Sequence, residues 1–308
     1  MSLEKIIRSY DMVLTEAAII ERLRRSGRVA LDPRLEHALL IYDTTGRKVL
    51  ADLYQEYIRV AQTARIPILV CAPTWRATRD RLARASVTRD VNADAVVFMQ
   101  EVRAERAAWR DMVLIGGLLG CRNDCYRPDQ SLPESEAEIY HAWQITRLAE
   151  AGVDFLLGAT LPALPEAVGI ARAMAGTGIP YLISFVVNRN GLVLDGSSLE
   201  QCMARIDAVC DPAPLGYMVN CSYPSFLHAD RLPAAGLSRL LGIQANASAL
   251  DHAQLDGSDA TQAEDIAEWG DLMAGLNQKH GIKVLGGCCG TGGDHLRYLV
   301  QKLNAEPT

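Results

Sequence analysis

Eight short, apolar, β-rich runs recur along the chain with longer segments of helical period between them. This alternation restricts the fold more than any other feature. The runs are Met12–Thr15, Pro67–Ala72, Val113–Leu119, Asp154–Thr160, Tyr181–Val187, Leu215–Cys221, Leu241–Ala245 and Lys283–Cys288. Several are apolar throughout, as parallel strands covered on both faces must be. Helical patterning covers Ser135–Ala151, Leu164–Ala175, Ser198–Val209 and Ala263–His280, and Ala151-Gly152 supplies a glycine stop. Eight strand–helix alternations in 308 residues fit a single-domain α/β (β/α)8 TIM barrel spanning 1–308, with excursions after the first and second strands. An open doubly wound sheet is the competing arrangement, but no Gly-x-Gly-x-x-Gly follows the first strand, which removes its nucleotide-binding version.

A formal net charge of −6 leaves no basic excess to neutralise phosphates, so nucleic acid is not an expected partner. No apolar stretch approaches the about eighteen residues a membrane span needs, and the first residues lack the apolar core of a signal peptide. No membrane association and a cytoplasmic location are the expectations; the oligomeric state is not legible.

The chain's eight cysteines are too sparse for a disulfide scaffold. Cys71, Cys202 and Cys210 stand in apolar or helical surroundings and read as small buried hydrophobes. Cys121 and Cys125 have metal-like spacing in a polar loop, but no second pair follows. The remaining three are different. Cys221 closes the sixth run, while Cys288 and Cys289 close the eighth among Gly286, Gly287 and Gly290. Strands with one neighbour between them lie within about 10 Å, so three soft sulfurs can converge on one ion at the barrel's working end. Tandem strand residues normally face opposite ways, and the glycines provide the latitude for both to turn inward.

Gly286-Gly287-Cys288-Cys289-Gly290-Thr291 with Asp294-His295-Leu296 resembles the C-terminal signature of the homocysteine S-methyltransferase family. Val219-Asn220-Cys221 with Pro224 resembles its upstream cysteine motif. Tyr140-His141 with Gln144, Ala151-Gly152-Val153-Asp154, Thr160-Leu161-Pro162 with Glu166-Ala167, and Ile183-Ser184-Phe185 extend the resemblance over most of the chain. It implies a barrel holding Zn2+ through Cys221, Cys288 and Cys289. The implied reaction moves a methyl group from a sulfonium or quaternary ammonium donor, such as S-methylmethionine, to a small-molecule thiol such as homocysteine.

The chain departs from that pattern in two places. After the first strand the family has an aspartate followed by glycines, where this sequence has Thr15-Glu16-Ala17-Ala18; Glu16 stands in as a polar substrate contact. Before Thr-x-Pro the family carries a glutamate that holds the amino group of homocysteine, and here that position is Ala159. The metal half of the site is thus intact and the acceptor half altered. The expectation is an S-methyltransferase with a changed acceptor or donor, the alternative a catalytically silent paralogue acting as a metal-containing binding or regulatory protein. Asn220 either bonds substrate or orients Cys221, and Thr160 is read with it as a substrate contact. Thr74 and Trp75, at the rim after the second strand, are candidate donor contacts. His295 has a structural or capping role, and the acidic residues of 256–265 form a solvated loop.

Overall fold

In the computed structural model, which describes residues 1–250 and 264–304, eight parallel strands close into a barrel in sequence order. The strands are β1 Val13–Thr15, β2 Ile68–Cys71, β3 Val113–Leu119, β4 Phe155–Leu161, β5 Tyr181–Phe185, β6 Gly216–Ser222, β7 Leu240–Ala245 and β8 Val284–Gly287. Each expected apolar run overlaps a strand, with ends differing by up to two residues: β4 and β6 run one residue past the expected end, and β7 starts one residue earlier. Ring closure is direct: Val13 and Leu14 of β1 pair with Val284 and Leu285 of β8. A single-domain (β/α)8 barrel is therefore the fold.

Two apolar layers explain why these strands carry so little polar character. One lies between the barrel and its outer helices, and the other fills the interior with Val13, Leu69, Leu114, Phe155, Leu182 and Met218. Leu3 and Ile6, on a short helix over Leu3–Ser9 that sequence patterning does not anticipate, join this interior layer. Its seven residues are too few to display a period, and burial of two side chains holds it in place.

Expected helices Ser135–Ala151 and Ser198–Val209 run over Glu134–Glu150 and Leu199–Val209, while Leu164–Ala175 is unchanged. Gly152 takes φ +81°, the left-handed stop its position suggests. Ser198 caps its helix through a reciprocal bond with Gln201. The last expected segment begins inside undescribed residues, and its described part is the helix Ile266–His280. Most of the acidic stretch 256–265 likewise lies outside the described residues. The excursion after β1 carries the helices Ile20–Ser26 and Thr44–Ala64, and that after β2 carries Arg79–Arg84 and Val91–Ala104. Among the described residues no helix is long and apolar enough to cross a membrane.

Candidate active site

A cavity of about 690 Å³ opens at the C-terminal ends of the strands, where barrels of this kind place their chemistry. Cys221, Cys288 and Cys289 all line it. The Cys221 and Cys288 sulfurs are 2.7 Å apart, joined by a hydrogen bond. Hydrogen bonding from Cys221 and then Cys288 draws the Cys289 thiol well below its ordinary range, and the nearby Arg24 guanidinium helps. Cys288 is pushed up, chiefly by its bonds with Cys221 and Cys289 and by burial. All eight cysteines are free.

The backbone reaches this arrangement by leaving regular geometry. Cys221 lies inside β6, next to its last residue, at φ +54°, and the β6–β7 register shifts between Asn220 and Ser222. A bulge of this kind re-aims one side chain without ending the strand. Thr160 on β4 does the same at φ +59°, within a register shift between Gly158 and Leu161. Cys288 and Cys289 lie just past the end of β8, in the turn that follows it. The turn packs so closely that a side chain at Gly287 would collide with Thr291, while Gly290 adopts φ +81°. That is the latitude the tandem pair requires.

Asn220 binds the two strained residues together. Its Oδ1 accepts from the Thr160 N–H at 2.8 Å and from the Ser184 hydroxyl at 2.7 Å. Its Nδ2 donates to Thr160 Oγ1 at 2.8 Å and to Cys221 Sγ at 3.2 Å. Of the two roles open to Asn220, these bonds support orientation of Cys221. Asn246, which sequence patterning misses, does the corresponding work across β7. Its Nδ2 donates to the Cys221 carbonyl at 2.9 Å, and its Oδ1 accepts from the Cys289 N–H at 3.2 Å. The polar residues of Gln244-Ala245-Asn246-Ala247-Ser248, at a strand end, were the available signal.

Glu16 lines the cavity and is buried. Its Oε2 accepts from the Cys71 N–H at 2.7 Å, and its backbone carbonyl accepts from the Gly287 N–H at 3.1 Å. Desolvation raises its pKa to about 8, against the lowering effect of the Cys71 bond. Trp75 also lines the cavity, with the Arg76 guanidinium 4.0 Å from its ring centroid. Thr74 does not line it: the side chain is fully buried, and its hydroxyl donates to the Leu118 carbonyl at 2.7 Å. Ala159 lines the cavity together with Leu157 and Leu118, and its methyl group offers nothing to pair with an ammonium.

Cys125 faces the same cavity and Cys121 is also buried, although the loop that carries them is polar in sequence. Arg76 donates to the Cys121 and Asn123 carbonyls, each at 2.8 Å, drawing the loop inward. Burial pushes both thiols up to about 12. Tyr126, Tyr54 and His37 are further lining residues that sequence reasoning misses. Desolvation lowers His37 to about 4, which keeps its imidazole neutral. His295 stands outside the cavity: its Nδ1 accepts from the Gly292 N–H at 3.3 Å, at the start of the last helix.

The donor set suits a borderline-soft ion, since it offers three thiols and an open cavity on one side. Among the described residues, no group of three or more His, Cys, Asp or Glu side chains is spaced to hold a metal ion. The sulfurs form a hydrogen-bonded cluster instead. Two thiolates on one tetrahedral zinc, with Zn–S about 2.3 Å, stand about 3.8 Å apart, so a metal would have to part Cys221 and Cys288 by roughly an ångström.

Comparison with known proteins places this site in context. The family model for homocysteine S-methyltransferase matches residues 13–303. Homocysteine S-methyltransferase 2 of Zea mays is 26% identical over 174 residues, covering 54% of this chain and 50% of the maize protein. Homocysteine S-methyltransferase 3 of Arabidopsis thaliana is 23% identical over 192 residues, 58% of this chain and 51% of its own. The chain thus spans about half the length of the curated relatives it matches. The metallated form of the homocysteine methyltransferase MmuM from Escherichia coli superposes with a TM-score of 0.75 at 18% identity, covering 97% of this chain and 99% of that one. At that identity the likeness establishes the shared fold alone.

Proposed function

The chain belongs to the homocysteine S-methyltransferase family, and from that premise we propose that it is an S-methyltransferase. In this reading a methyl group passes from a sulfonium or quaternary ammonium donor to a small-molecule thiol, with zinc held by Cys221, Cys288 and Cys289. The observation that carries the reading is the meeting of these three thiols, from two distant segments, in one wall of a cavity of about 690 Å³.

A free thiol, with a pKa of about 8.5, is mostly protonated at neutral pH and is then a weak nucleophile. Zinc, when bound, would favour the thiolate form of the acceptor and hold its sulfur in place. The thiol proton goes to solvent. The acceptor sulfur's lone pair then forms the new S–CH3 bond while the donor's bond to the methyl carbon breaks, its electron pair leaving on a now neutral sulfide or amine. Homocysteine would become methionine.

What the chain itself contributes is position and dryness. Asn220 and Asn246 hold Cys221 and the Cys289 backbone in register. Trp75, Tyr54 and Tyr126 give the cavity aromatic surface, which suits a cationic donor. Glu16 is a buried polar contact in the cavity wall, and Thr160 presents its strained backbone there. No residue of this set is needed as a general base.

Ala159 favours a change of acceptor, because a neutral methyl group cannot hold the ammonium of an amino acid. It also supports the alternative of a silent, metal-containing binding protein. One assay separates them: purified protein, S-methylmethionine, and a panel of homocysteine, cysteamine and 3-mercaptopropionate. Methyl transfer to any member is the expected result, and its absence across thiols and donors favours the binding protein. Cytoplasmic residence, small-molecule partners and no nucleic-acid role remain part of this reading.

A further inference from the structure

Away from the thiols, one fully buried carboxylate is unusually well furnished with donors. Glu166, in the helix Leu164–Ala175, and His141, in the helix Glu134–Glu150, have side chains with no exposure at all. His141 Nε2 lies 2.9 Å from Glu166 Oε1, which also accepts from the Arg122 N–H at 2.7 Å. Glu166 Oε2 accepts from the Leu132 N–H at 3.2 Å and from the Ser131 hydroxyl at 3.3 Å. Three of these four donors therefore belong to the loop between β3 and the helix Glu134–Glu150. Burial alone would raise the Glu166 pKa, but the bonds from His141 and from the Arg122 backbone hold it below the usual range.

The loop ends that Glu166 grips, Arg122 and Ser131–Leu132, bracket Cys125 and Tyr126. Those are the two loop residues that line the cavity carrying Cys221, Cys288 and Cys289. Arg76 secures the same loop from the other side, through the Cys121 and Asn123 carbonyls. A carboxylate buried between two helices is a weak source of stability, since it must be stripped of water. Here the carboxylate has been given loop backbone to hold, and that loop forms part of the site wall.

We propose that Glu166, paired with His141, is a positioning residue for the methyl-transfer site: it fixes the 122–132 backbone and so holds Tyr126 and Cys125 in the cavity wall beside the three thiols. The inference rests on the S-methyltransferase reading. It assigns the pair a role that acts through Tyr126 and not on the reacting atoms.

The test compares wild type, Glu166→Gln, Tyr126→Ala and the double variant in two measurements. The first is the rate of iodoacetamide labelling of each cysteine in the native protein, followed by mass spectrometry. Glu166→Gln should raise labelling of Cys125 by about tenfold, since a lost charge-assisted anchor lowers the cost of local opening, while buried Cys202 stays protected. The second is KM against kcat for homocysteine and S-methylmethionine. Glu166→Gln should raise KM by about tenfold with a smaller loss in kcat, and it should add little in the Tyr126→Ala background, because residues acting as one unit do not combine additively. Ser131→Ala removes one donor to the same carboxylate and should move both readouts about twofold in the same direction, so the test survives if Glu166→Gln does not fold.

Wild-type labelling of Cys125 in folded Glu166→Gln or Ser131→Ala protein overturns the inference, as do KM penalties that multiply fully in the double variant. If wild type transfers no methyl group at all, the functional reading fails on that arm, and the labelling arm still decides whether the pair holds the loop.

Discussion

The Cys221 and Cys288 sulfurs, 67 positions apart in the chain, stand 2.7 Å from one another at the C-terminal end of the barrel. That approach depends on two backbone departures. Cys221 is turned by the bulge near the end of β6, and Cys288 begins the glycine-flanked turn after β8. Neither sulfur is aimed by its own strand alone, so the residues that fix these departures should matter nearly as much as the thiols.

Asn220 is the first of them. Asn220→Ala leaves the Thr160 N–H and the Ser184 hydroxyl without their acceptor inside a buried wall. The expected cost is about 2–6 kcal/mol of stability, at about 1–3 kcal/mol for each of the two stranded groups, together with weaker metal retention. Chemical denaturation and zinc analysis read both. A variant as stable and as zinc-rich as wild type would show that the amide does not hold the bulge.

Glu16 predicts a pH dependence. Its pKa rises from 4.5 to about 8 in the fold, so the folded state prefers the protonated form. The stability this contributes is complete below about pH 4.5 and is lost as pH climbs through about 8. Glu16→Gln should therefore flatten the fall in melting temperature between pH 5 and pH 9, with its advantage over wild type largest at the alkaline end. Parallel melting curves for the two proteins would contradict the burial argument.

Ala159 tests acceptor recognition. Ala159→Glu would place a carboxylate in the apolar wall beside Leu157 and Leu118. The KM for homocysteine should fall by about tenfold, the equivalent of about 1.4 kcal/mol, with no gain for 3-mercaptopropionate, which has no ammonium. An equal change for both thiols would place the amino group elsewhere in the cavity.

The barrel was legible because its signal is local: runs such as Val113–Leu119 and Tyr181–Val187 are largely apolar on both faces. The thiols were legible as residue types, since Gly-Gly-Cys-Cys-Gly has few other uses. Their aim was not. The left-handed backbone at Cys221 and Thr160 is held by Asn220, which is beside Cys221 on β6 but two strands away from Thr160 on β4, and no pattern within the Thr160 segment announces it.

The 120–133 loop escaped sequence reading for a related reason. Its residues are polar, and the bonds that tie the loop to the barrel come from Arg76 and Glu166, far along the chain. Thr74 failed in the opposite sense. It sits near a strand end, as a rim residue would, yet its hydroxyl is turned to the Leu118 carbonyl. Asn246 needed the pairing of β6 with β7 before its two bonds to the cysteine segments could be recognised.

Metal content is the measurement closest to the central claim. Zinc should be found at about one ion per chain in the purified protein, and Cys221→Ser, Cys288→Ser and Cys289→Ser should each lower it sharply along with methyl transfer, because a tetrahedral site with three protein ligands tolerates no loss. Full zinc retention in the Cys288→Ser protein, folded as wild type, would contradict it.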